Sequence, residues 1–284
     1  MIKQIKNVAL VLCASIPLLA ADTAIDMPSS QPIDVFKMKK GQVGIGYMQF
    51  NVELSLEDEY YEDKIGDVNY DNKGIIITLP ADSKTIIGEM FEESYTVGII
   101  DSELEKKHFV DGAYTYDNKY DKSGFYIGYR PSFSTTFYES DMFRVSNATS
   151  LHMILYTLNG DFTVDGTKTG FAYSYDETSF GFGLKPTTVI NTTFFPIDNL
   201  GISIFGGAST FFALDINDYE NKTNPSDYDT EVNGYMADIA PIYGFDIIFK
   251  GIVGDDDSFN LSSVFAKKDN DTSTETIVRY IYNF

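Results

Sequence analysis

Several long segments of the chain alternate apolar and polar residues, and some of them run past ten residues. Alternation puts successive side chains on opposite faces of an extended strand, so each segment has one apolar and one polar face. Strands of soluble domains are commonly about five or six residues long, so segments of this length call for another architecture. In GFYIGYRPSFSTTFY, Phe125, Ile127, Tyr129, Pro131, Phe133, Thr135 and Phe137 share a face opposite Gly124, Tyr126, Gly128, Arg130, Ser132 and Ser134. In ETSFGFGLKPTTVIN, Phe180, Phe182, Leu184 and Ile190 oppose Ser179, Gly181, Gly183, Lys185 and Asn191. GYMADIAPIYGFDIIFK sets Tyr235, Ala237, Ile239, Tyr243, Phe245, Ile247 and Phe249 against Asp238, Gly244, Asp246 and Lys250. The closing TETIVRYIYNF sets Val278, Tyr280, Tyr282 and Phe284 against Arg279 and Asn283.

Read backwards from Phe284, the pattern predicts eight strands near 275–284, 257–267, 233–249, 200–215, 179–193, 167–175, 149–159 and 124–138. Residues 41–56, 74–80, 94–100 and 109–117 add four, for twelve in all, with ten as the alternative count. Residues 82–94 could hold a short helix. Asp-, Asn- and Gly-rich links at 116–124, 196–201 and 253–257 read as tight turns. The acidic stretches 57–72 and 217–233 read as long loops. No repeat or linker divides the chain.

The front of the chain has another character. Lys3 and Lys6 precede an apolar run from Val8 to Leu19 and then Ala20 and Ala21, the three-part layout of a secretory signal peptide at 1–21. Residues 22–40 read as a leader on the periplasmic side, and 41–284 as the strand-rich body. The single cysteine, Cys13, lies in the segment to be removed, so disulfides and cysteine metal sites are excluded from the expected mature chain. With 42 acidic against 21 basic residues, and Lys3 and Lys6 removed, the mature net charge is 19 − 42 = −23. That balance excludes nucleic-acid binding.

These features together resemble bacterial outer-membrane β-barrel proteins: a cleavable signal, long two-faced strands, acidic connections, and a last strand ending in an aromatic residue. The resemblance implies a closed antiparallel transmembrane β-barrel in the outer membrane, facing lipid and lipopolysaccharide. In that class the aromatic C-terminal residue, with apolar residues at every second position before it, is read by the barrel assembly machinery. Val278, Tyr280, Tyr282 and Phe284 match this pattern, and Thr276 continues the register with a polar residue. Physical arguments agree with it. Lipid cannot satisfy free backbone groups, so a spanning sheet must close on itself, and a tilted strand crosses in about 9–11 residues. A lipid-facing Arg or Lys at the midplane costs about 2–4 kcal/mol, which turns Arg130, Lys185, Asp238, Asp246, Lys250 and Arg279 inward as candidate lumen-lining residues.

No catalytic constellation is apparent. His108 and His152 are the only histidines, and neither sits in a motif that pairs it with Ser or Asp. Asp269, Asp271, Ser273 and Glu275 alternate like the start of a calcium loop but lack its Gly and closing Glu, so no metal and no cofactor is expected. The functional expectation is therefore a narrow passive pore for small solutes. The alternatives are a structural or surface-interaction barrel with a plugged lumen and, more remotely, a soluble secreted β-sandwich.

Overall fold

A computed structural model describes residues 42–57, 64–80, 84–86, 89–110, 113–165, 172–197, 199–222, 228–236, 239–252, 257–268 and 271–283. The expected signal, the leader and Phe284 lie outside these. The described residues form β1 (Gln42–Glu57), β2 (Lys64–Pro80), β3 (Lys84–Ile86), β4 (Glu89–Val110), β5 (Ala113–Glu139), β6 (Phe143–Asp165) and β7 (Ala172–Ile197). They continue with β8 (Leu200–Ser209), β9 (Phe212–Asn221), β10 (Tyr228–Met236), β11 (Ala240–Lys250), β12 (Ser258–Lys268) and β13 (Asp271–Asn283). No described residue is helical, and the helix considered at 82–94 is replaced by β3 and the start of β4.

The strands close into one antiparallel ring in the order β1, β2, β4, β5, β6, β7, β8, β11, β12, β13 and back to β1. The ring has ten strands; the β9–β10 hairpin extends β8 and β11 beyond it, with β9 continuing along β7 from Leu184↔Phe212, and the three-residue β3 pairs among the described residues with β4. Closure by β1 and β13 runs from Gln42↔Asn283 to Glu53↔Thr272. A single closed ring has no second sheet for an apolar face to pack on, which removes the β-sandwich. Following the register from Tyr47 one way round reaches Phe180 on β7, and the other way reaches Phe194, a closure offset of 194 − 180 = 14 residues. For ten strands such an offset corresponds to a tilt of about 45°.

Strand length is where the structure departs most from the pattern reading. β5 has 27 residues and β7 has 26, so 113–117 and 124–138, expected in separate strands, belong to one, as do 172–175 and 179–193. The link 116–124 is not a turn; it lies inside β5, paired with β4 throughout and with β6 from Asp117 onward. Most of the acidic stretches 57–72 and 217–233 is likewise strand, in β1, β2, β9 and β10. The reason is environmental. A tilted strand of 27 residues rises about 60 Å, while the apolar belt of an outer-membrane barrel is about 25 Å tall. The upper half of the wall faces water on its outside, so its outward positions are charged and the segments read as loop, although Tyr70, Leu104, Tyr120 and Phe162 form an apolar row behind them. There Asp71, Glu103, Asp121, Asp161, Asp176 and Glu220 sit in direct register on six adjacent strands. Lys73 meets Glu103 at 3.3 Å, and Lys222 bridges Asp161 at 2.6 Å and Asp176 at 3.2 Å.

Below this acidic surface the outward face is apolar. Tyr47, Ile75, Ile99 and Phe125 form an unbroken cross-strand row that passes through Thr157 to Phe180. Ile75, Ile99 and Phe125 are 60%, 57% and 61% exposed. Ile127, Ile239 and Tyr282 stand equally open, while Phe182, Phe245 and Tyr280 face the same way but are half-buried. An apolar band circling the molecule far exceeds the patches that water-soluble monomers expose.

Candidate functional site: the barrel lumen

The inward faces meet in the interior at three levels. At one level Phe50, Val52, Val68, Tyr70 and Leu104 pack together with Tyr120 against them. In the middle Met48, Ile76, Ile100, Tyr126, Ile154, Tyr156, Leu158, Phe211, Ala213 and Ile277 form one buried cluster. Its members come from β1, β2, β4, β5, β6, β9 and β13 and from the β8–β9 junction, so it spans the lumen from wall to wall. Toward the turn ends Ala148, Val189, Phe205 and Ile242 form the third. Contact even crosses the diameter: β1 and β7 stand five steps apart in the ring, yet the Lys185 ammonium lies 6.0 Å from the centre of the Phe50 ring.

Glycine makes this packing possible. Gly98 lies opposite Tyr126, Gly181 opposite Tyr156 and Gly244 opposite Phe205. Each ring packs against the wall where its neighbour has no side chain. A Cβ built on Gly98 would fall 2.2 Å from the Tyr126 ring, and one on Gly181 would fall 2.0 Å from that of Tyr156.

Polar groups fill the remaining interior. Of the lumen-lining residues expected from sequence, Arg130, Asp246 and Arg279 are buried there, the last with its Nη1 donating to Thr78 Oγ1 at 3.5 Å. Lys185 is inward and half-buried, and Lys250 continues the inward register of Asp246 and Ile248 at the end of β11. Asp238 lies outside the described residues. His152 is buried among them on the inward face of β6, whereas the side chain of His108 falls outside the description. On the last strand Val278, Tyr280 and Tyr282 face outward, opposite buried Ile277, Arg279 and Ile281.

The pattern reading missed a buried charged cluster higher in the lumen. Lys122 Nζ lies 2.5 Å from Glu177 Oε1 and donates to Ser179 Oγ at 2.9 Å, and Ser179 Oγ donates to Glu177 Oε1 at 3.3 Å. Gly160 separates the two charged residues in the register, and its missing side chain lets them meet. Tyr156 donates to Asp215 close by. The signal was available, since Lys122 shares parity with Gly124 and Tyr126, but it lay in the segment read as a turn. On the outer wall above the belt, hydrogen bonds from Lys222 hold the Asp161 carboxyl below its ordinary range, and those to Asp161 and Asp176 raise Lys222. No group of His, Cys, Asp or Glu among the described residues is arranged to hold a metal ion.

No family model matches the chain, and no curated protein is similar to it in sequence. Among solved structures it is similar to the outer membrane protease OmpT from Escherichia coli, at 8% identity over 86% of this chain and 96% of that one, with a TM-score of 0.55. The transport unit of the autotransporter AIDA-I from Escherichia coli aligns at 8% identity over 89% and 93%, with a TM-score of 0.46. The COG4313 outer membrane channel from Pseudomonas putida F1 aligns at 10% identity over 90% and 100%, with a TM-score of 0.36. At such identities the likeness shows fold alone: the chain has the fold of bacterial outer-membrane β-barrels.

Proposed function

We propose that the chain is an outer-membrane barrel with a sealed lumen, acting as a structural or surface-interaction protein rather than as the narrow pore that its polar inward faces suggested. The observation that carries this reading is the middle cluster, whose ten members are each between 0% and 4% exposed and meet across the interior. A continuous water path past Ile100, Ile154, Tyr126 and Phe211 would need those side chains to leave it. Arg130, Asp246, Lys250 and Arg279, each with a partner, and Lys185, near the Phe50 ring, then act as polar filling and not as a track for solutes. No catalytic role belongs to this reading. The protein's surroundings are lipid and lipopolysaccharide outside the belt, and its route there is the assembly machinery that recognises Val278, Tyr280, Tyr282 and Phe284.

Refolded mature protein in a planar bilayer should give no unitary steps, while an unheated sample still migrates as a folded barrel on a gel. Stepwise conductance that changes on Arg130→Ala or Asp246→Ala would overturn the sealed-lumen reading in favour of the pore. Removal of Phe284 is expected to lower the amount of barrel recovered from outer membranes several-fold, with the conductance of the recovered protein unchanged. Recovery at the level of the intact chain would remove the assembly role of this terminus.

A further inference from the structure

The wall is complete only in its lower part. β10 ends the sheet: it pairs with β9 from Tyr228↔Glu220 to Met236↔Phe212 and with no other strand among the described residues. The cause is a mismatch in length. β12 and β13 have 11 and 13 residues against 22 to 27 in β4 to β7. β11 pairs with β12 only as far as Ile242↔Ala266, so nothing described stands beside β10 above that point. On the far side, β1 continues to Glu57 although its pairing with β13 stops at Glu53↔Thr272. A gap therefore opens above the β12–β13 tip, bounded by β10 and the upper end of β1. Two absent strands leave about 14 Å between its sides, three spacings of about 4.8 Å.

A free edge of this kind is a template for strand addition. Exposed edges are commonly guarded by Lys, Pro or inward-pointing charges; YDTEVNGYM has neither Lys nor Pro, and its charges are all of one sign, which leaves the edge open to a strand of the opposite sign. What it carries is negative charge. Asp229 and Glu231 are exposed on the lumen-side face of β10, in register with Tyr219 and Asn217. Asp218 and Glu220 lie on the outer face of β9, where Thr230 donates to Asp218 Oδ1 at 2.8 Å. Lys222 is occupied by Asp161 and Asp176, and Lys267 and Lys268 lie below, at the β12 tip. A second copy pairing through β10 would set like charges against each other, which is unfavourable. A strand bearing Lys or Arg at alternate positions would meet opposite charges instead.

We infer that the free edge of β10 binds an extended basic peptide segment as an added strand, with Asp229 and Glu231 selecting its charge. The inference rests on the surface-interaction reading and supplies the partner class for it.

The chain has no Trp, so a Trp-tagged peptide reports binding by energy transfer from tyrosine without background. The refolded barrel in lipid nanodiscs is titrated with a tagged peptide of alternating Lys and Val, and with its Glu–Val counterpart. Saturable transfer is expected for the Lys–Val peptide alone, together with slower hydrogen exchange of amides 228–236. Asp229→Asn with Glu231→Gln should weaken binding about tenfold, whereas Asp101→Asn with Asp121→Asn, far round the wall, should leave it unchanged. The proposal is overturned by absent binding, by equal loss in both pairs of variants, by protection outside β10, or by protection that grows with protein concentration in the absence of peptide. Conductance recorded on the same preparation separates the two readings. A silent barrel that ignores the peptide removes this inference alone, while a conducting one removes the sealed lumen and leaves the peptide result standing.

Discussion

Replacing Gly181 by Val should cost the barrel about 3 kcal/mol or more, although the glycine has no side chain to lose. Overpacking a dense interior typically costs about 1–3 kcal/mol, and this site has no direction in which to relax. A Cβ here would lie 2.0 Å from Tyr156 Cζ and 2.1 Å from its hydroxyl oxygen. Tyr156 cannot swing inward, because Ile154, Leu158 and Phe211 occupy that space. Any displacement also breaks its hydrogen bond to Asp215, a carboxyl only 3% exposed, and leaving a buried polar group unsatisfied adds about 1–3 kcal/mol. Urea titration of the refolded protein, followed by its folded mobility on gels, gives the midpoint shift. Gly234→Val is the matched control: nothing lies within 4 Å of a Cβ built there, so it should be near neutral. Equal midpoints for the two variants would show that the ring over Gly181 is not part of the seal.

How far this fold was legible in sequence follows the membrane boundary. Where the strands face lipid, Phe125, Ile127, Phe180 and Tyr282 must be apolar, so a period of two is written in hydropathy. There the period of two separates Arg130, Asp246 and Arg279, which are buried, from Phe125, Ile127, Phe180 and Tyr282, which are exposed. Above the belt the period of two persists with its sense reversed, Tyr70, Leu104, Tyr120 and Phe162 inside and Asp71, Glu103, Asp121 and Asp161 outside, and the charged face gives these segments the composition of loops. Lys119, Asp121 and Ser123 alternate with Tyr120, Lys122 and Gly124 in a segment as extended as the one below it. Its Asp, Asn, Lys and Gly content belongs equally to a turn, and only pairing with β4 and β6 decides between them.

The seal was less legible than the wall, because it depends on what faces what across strands. Gly98, Gly181 and Gly244 could be seen as inward, but inward glycine fits a narrow open channel as readily as a filled one. The difference lies in register: opposite each of these stands Tyr126, Tyr156 or Phe205, an aromatic ring large enough to use the vacated space. The hairpin beyond the ring was hidden for a related reason. Nothing within β10 states that β12 and β13 are too short to accompany it.

The ion pair at Lys122 and Glu177 should show the opposite behaviour to a surface salt bridge. Their side chains are 10% and 1% exposed, so removing one partner strands the other in a poorly solvated interior. Glu177→Ala or Lys122→Ala is expected to cost about 3–5 kcal/mol, while the joint replacement Lys122→Met with Glu177→Leu should recover most of that loss. The exposed pair Lys73 and Glu103, broken by Glu103→Ala, should leave the midpoint almost unchanged. Urea midpoints of the single and double variants measure the coupling directly. Additive losses would mean that the two charges are solvated separately and that the 2.5 Å contact is not maintained. Strong coupling would also explain a pair placed across Gly160. A one-residue slip of β5 or β7 against β6 carries one charge to the outer wall and abandons the other inside. The pair thus reinforces the register of three long strands in the part of the wall whose outer face has no apolar belt to hold it.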